Sequence, residues 1–166
     1  MDTGLFITKA TAIAAFLSYI TALMLHRYAS ANRAWWTAGC FMLLVHTACA
    51  FHFVHHWSHH AAYESTAQQT DALTGLPSGG GLYLNYLLLL VWLGDAVWCW
   101  TAPARHDARS RWITWLLHGF LGFMWLNATV VFGHGMARWL GLVGFVALLI
   151  QRWRYHNARR SLNPRS

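Results

Sequence analysis

Long apolar runs decide what this chain can fold into. They lie at roughly 6–26, 35–56, 82–102, 112–132 and 137–153, and each is long enough, or nearly so, to cross a bilayer as a helix of about 20 residues. The last run is the shortest, but Trp139 and Trp153 bracket it as interface anchors. A soluble domain carries about a quarter charged residues. Here 10% are charged and 57% hydrophobic, too little polar surface to cover a soluble fold. The expected fold class is an all-α integral membrane protein, a compact bundle of five transmembrane helices. Residues 1–166 form one transmembrane helical domain, with a long loop over 57–81.

The charges give that bundle a direction. Arg27 and Arg33 separate the first two runs, Arg105, Arg109 and Arg111 the third and fourth, and Arg152, Arg154, Arg159, Arg160 and Arg165 follow the fifth. The 57–81 loop has neither Lys nor Arg and carries Glu64 and Asp71. Basic loops stay on the cytoplasmic side, so the N-terminus is expected outside, the C-terminus in the cytoplasm, and 57–81 at the outer or periplasmic face of the plasma (inner) membrane. Lys9 and Arg138 lie near an outer boundary, where long side chains snorkel. The net charge of +7 thus reads as topology, and the expected partner is the lipid bilayer, with no nucleic acid. Ala29-Ser30-Ala31 resembles a signal-peptidase site, but His26 and Arg27 stand between it and the apolar run, so residues 1–26 read as a retained helix. Cys40, Cys49 and Cys99 fall inside apolar runs without zinc-type spacing and read as small buried hydrophobes.

Chemistry concentrates in His52-Phe53-Val54-His55-His56-Trp57-Ser58-His59-His60, which holds five of the eleven histidines. Imidazole is the commonest metal ligand among side chains, and lipid and core packing have no need of it. At about 100° per residue a continuous helix puts His52, His55, His56 and His59 on one arc, with His60 on its shoulder and Tyr63 on the same face. One helix rarely supplies a whole metal shell. Candidate partners at the same depth are His134, in the Gly133-His134-Gly135 turn, and Glu64, with Asp71, Asn85 and Asn127 nearby. The segment contains two overlapping H-x-x-H-H boxes, and over these nine residues it resembles the histidine boxes of membrane fatty-acid desaturases and hydroxylases. Those families spread their boxes over separate elements on the cytoplasmic side of a longer chain, so their activity is not carried over.

Inside the runs, Asp95 and His118 should sit at similar depth on neighbouring helices, which predicts an intramembrane pair. It would serve as a helix-locking hydrogen bond, a proton relay or a second site. His46, near the centre of the second run, reads as a buried relay or ligand, or as hydrogen-bonded to a backbone carbonyl. His26, His106 and His156 lie among basic residues and are expected in solvent or at lipid headgroups. Trp92, Trp98, Trp100 and Trp125 lie within runs, where aromatic packing accounts for them.

The leading functional expectation is a transition metal (Cu, Zn or Fe) held at the outer face by His52, His55, His56, His59, His60, His134 and Glu64, for redox chemistry or metal handling. Alternatives are a small cytochrome holding haem b, with His134 facing one of the stripe histidines, or a non-catalytic accessory subunit bound to other membrane subunits. No C-x-x-C-H is present for covalent haem.

Overall fold

The computed structural model describes residues 3–25, 28–132, 135 and 138–150, and all regular structure among them is helical. Four helices are long and apolar enough to span a membrane: α1 (Thr3–Met24), α2 (Ala29–Val54), α4 (Gly81–Thr101) and α6 (Arg111–Val131). At 1.5 Å per residue the shorter spans reach about 30 Å, the thickness of a hydrocarbon core. Two helices sit in the connections, α3 (His59–Thr74) and α5 (Pro103–Asp107). A further apolar helix, α7 (Arg138–Ile150), falls short of spanning length within the described residues, which therefore hold four membrane-length helices against the five runs expected. Residues 151–153 of the fifth run, the turn at His134, and the basic tail lie outside the described residues.

Local chemistry sets the helix ends. Ser58 caps α3, its Oγ accepting from Ala61 N at 3.2 Å. Gly75 closes α3 with φ 71°, the left-handed conformation glycine adopts without a steric penalty. Pro103 opens α5 at a position where its missing N–H costs nothing, and Ser110 caps α6 by accepting from Trp112 N. The last turns of α2 (Ala50–Val54) and α6 (Asn127–Val131) widen into π-helix.

The spans run alternately up and down. Asn32 Nδ2 donates to Ala22 O at 2.7 Å, tying the start of α2 to the end of α1. The core is aromatic: Phe16 and Tyr19 of α1, Trp36 of α2, Trp92 of α4 and Trp125 of α6 are all buried. Ring centroids lie 5.3 Å apart for Trp36 and Trp92 and 5.8 Å for Tyr19 and Trp92, contacts worth about 0.5–1.5 kcal/mol beyond area burial. Gly39 makes room for them, because a Cβ there would come within 2.7 Å of the Trp92 ring. Leu17, Phe41, Leu90, Val97, Leu116 and Phe123 point outward. That exposed apolar coat would be costly in water and is natural against lipid, where helices associate by packing rather than by a hydrophobic drive.

This arrangement leaves two polar ends. The histidine end gathers the start of α1, the end of α2, α3 and the start of α4, linked by His46 to Thr8 and His59 to Tyr86. At the arginine end, Arg33 meets Asp107 and Trp100 Nε1 donates to Thr37 Oγ1 at 2.8 Å.

Candidate functional sites at the two ends of the bundle

The histidine segment is not a single helical face. After the π-helical turn, where His55 N donates to Ala50 O at 3.0 Å, the chain leaves the helix. His56 and Trp57 take positive φ angles of 49° and 59°, and α3 begins afresh at His59. The expected arc of His52, His55, His56 and His59 is therefore broken. His52 and His55 belong to the end of α2, His56 to the turn, and His59 and His60 to α3. Left-handed conformation costs a non-glycine residue about 1–2 kcal/mol, and two such residues in succession are held against that cost by their surroundings.

Each imidazole then has its own environment. Trp57 Nε1 donates to His52 Nδ1 at 3.4 Å, which leaves the His52 proton on Nε2. His55 is half-buried with its ring 5.8 Å from Phe51, and burial, followed by the neighbouring His56, holds its pKa below the usual histidine value. His59 lies against α4, its Nδ1 hydrogen-bonded to the Tyr86 hydroxyl at 3.0 Å. His60 and Glu64 pair on the outer side of α3 at 3.4 Å, both largely exposed. Tyr63 packs on Tyr83 of α4, and Asn127 Nδ2 donates to its own helix at Phe123 O, away from the histidines. Among the described residues no three His, Cys, Asp or Glu side chains converge closely enough to hold a metal ion. His134 lies outside the described residues.

Within the span, His46 is bonded to the backbone. Its Nδ1 lies 2.9 Å from Thr8 O, and because a carbonyl only accepts, Nδ1 carries the proton. That bond fastens α2 to α1.

The arginine end holds a denser polar cluster than the sequence leads one to expect. Asp95 is buried on α4, but its partner is Arg109, with His106 beside it, rather than His118. The chain after α4 folds back as α5 and carries Arg109 to the carboxylate. Arg109 bonds Asp95 Oδ1 through Nη1, Thr114 Oγ1 through Nε at 3.0 Å, and His106 Nε2 through Nη1 at 2.8 Å. A guanidinium only donates, so His106 Nε2 accepts from it and cannot also donate to Asp95 Oδ2 at 3.3 Å. The bond to Asp95 is therefore the one from Arg109. His106, expected in solvent, is thus drawn into the bundle with its ring 5.4 Å from Trp98. His118 stays close by, edge-on to Trp36 at 5.4 Å, and its Nδ1 is buried without a partner among the described residues.

These groups border a cavity of about 450 Å³ bounded by Asn32, Arg33, Trp36, Asp95, Arg111 and His118, among others. Its walls come from α1, α2, α4, α6 and the α5 segment, so folding itself assembles it. Sequence reading missed it by treating the arginines only as topology signals; an arginine 14 residues beyond an intramembrane aspartate is the cue that a returning loop neutralises the charge.

No known protein family matches this chain, and neither a curated protein nor a solved structure does. What fold and sites define is a class: a helical protein with four membrane-length helices among the described residues, imidazoles spread over the end of α2, an exposed turn and the start of α3 at one end, and a charged cavity at the other.

Proposed function

We propose that this protein lies in the plasma (inner) membrane with its arginine end cytoplasmic, and that it binds a transition metal through the histidine end on the outer side. In this reading α7 belongs to a fifth crossing. Support for the orientation comes from Arg33, Arg105, Arg109 and Arg111, all gathered at one end, while the α2–α4 connection has no Lys or Arg.

One observation carries the metal reading. Five imidazoles flank or occupy a turn built on a π-helical end and two consecutive left-handed non-glycine residues. π-Helical turns and retained backbone strain both concentrate at functional sites. His59 has the outer-shell support of a ligand: with Nδ1 donating to Tyr86, its Nε2 lone pair is left for a metal. His55, whose pKa burial lowers, and the adjacent His56 are the nearest further ligands in the chain. His52, His60 and Glu64 line the approach, and His134 remains the sequence's candidate to close the shell. Because three ligands do not converge among the described residues, metal arrival must draw the turn inward. Imidazole ligation suits Cu(II), Zn(II) and Fe(II).

The test is a metal assay with an absorption spectrum on the full chain, purified in detergent without chelator and exposed to each metal in turn. The expected result is about one metal per chain in the native protein and its loss in the His55→Ala/His56→Ala/His59→Ala variant. A Soret band would replace this reading with haem b. Neither metal nor haem would overturn it in favour of an accessory subunit whose histidines meet other membrane subunits.

A further inference from the structure

The cavity at the arginine end is short of acceptors. Trp36 is 5% exposed, and its Nε1, a group that can only donate, is buried with no partner among the described residues. His118 Nδ1, a donor in the tautomer that carries its proton there, is also buried with no partner among the described residues, and both residues border the cavity. An unsatisfied buried polar group costs about 1–3 kcal/mol; both nitrogens are closed to solvent as the rings stand, so a ligand oxygen in the cavity would remove that cost by drawing the rings toward it. The charges point the same way. Arg109 is matched by Asp95 and Arg33 by Asp107, whereas Arg111 has no acidic partner among the described residues. One positive charge is left over, beside unsatisfied donor positions.

Depth narrows the choice of ligand. Trp35, Trp100, Trp112 and Trp115 are exposed around this same end, the arrangement of an aromatic belt at the membrane interface. The cavity mouth therefore opens at the level of lipid headgroups. We propose that the cavity binds a phosphate-bearing anion with a single net charge, the phosphodiester of an anionic membrane lipid, with Arg111 supplying the counter-charge and Trp36 and His118 donating from the cavity wall. This site is independent of the histidine end.

The proposal is tested by native mass spectrometry of the full chain in detergent, titrated separately with dihexanoyl phosphatidylglycerol, dihexanoylglycerol and inorganic phosphate. Phosphatidylglycerol is expected to bind at least about tenfold more tightly than dihexanoylglycerol, the difference a charged hydrogen bond supplies. Arg111→Gln, at an exposed position, should weaken phosphatidylglycerol binding by about tenfold, and Trp36→Phe, which removes an N–H that nothing else uses, by about threefold to tenfold. Inorganic phosphate binding as tightly as the lipid would support the site and assign its ligand to a soluble anion. Equal binding of phosphatidylglycerol and dihexanoylglycerol, or affinity within twofold of native in both variants, would overturn the proposal.

Discussion

At the residue scale, Asp95 shows how a charge is tolerated inside a span. Its carboxylate is 7% exposed and the guanidinium it faces is 12% exposed, so neither can be left alone cheaply. Removing one partner of such a buried pair costs about 3–5 kcal/mol, because the other charge stays behind uncompensated. Asp95→Asn should therefore lower stability in detergent by about 3 kcal/mol, and adding Arg109→Gln should recover part of the loss. Chemical unfolding of both single variants and the double variant checks this. Strictly additive losses would mean that the two residues do not act as a pair. Depth along the spans was readable from the sequence, and it placed Asp95 near His118. Side-chain choice was not, because a guanidinium, always cationic and a donor at every nitrogen, returns from the α5 segment and takes the carboxylate ahead of an imidazole.

At the element scale, α2 illustrates both the reach and the limit of hydrophobic pattern. Apolar runs located all four membrane-length helices to within a few residues except at the start of α2, where polar Asn32 and Arg33 fall inside the helix rather than before it. Pattern could not show where α2 stops being an α-helix. A π-helical turn inserts one extra residue without changing composition, and neither His56 nor Trp57 is a residue whose presence announces positive φ. The imidazoles were visible as a group, but their common face depended on a helical continuity that the turn removes. Glycine at such a position escapes the left-handed penalty, so His56→Gly should raise the melting temperature, gaining about 1 kcal/mol, while weakening metal binding. A thermal melt and a metal titration of the same preparation would show it. If His56→Gly lowers stability, the turn is held by something other than tolerated strain.

At the scale of the whole molecule, the bundle separates its polar chemistry to opposite ends of an aromatic core. The apolar outer face fits lipid, and the proposed orientation puts the end that gathers Arg33, Arg105, Arg109 and Arg111 in the cytoplasm. Ser58→Cys in intact cells should react with a membrane-impermeant maleimide, whereas Ala108→Cys should react only after permeabilisation. The reverse pattern would invert the orientation and put the histidines in the cytoplasm. The central claim, that the histidine end ligates a metal, is tested most directly by X-ray absorption at the metal edge on the zinc-loaded full chain. The account predicts about three or four nitrogen or oxygen ligands near 2.0–2.1 Å, with imidazole scattering that diminishes in His55→Ala/His56→Ala/His59→Ala. A spectrum without imidazole scattering, or one unchanged in that variant, would contradict it.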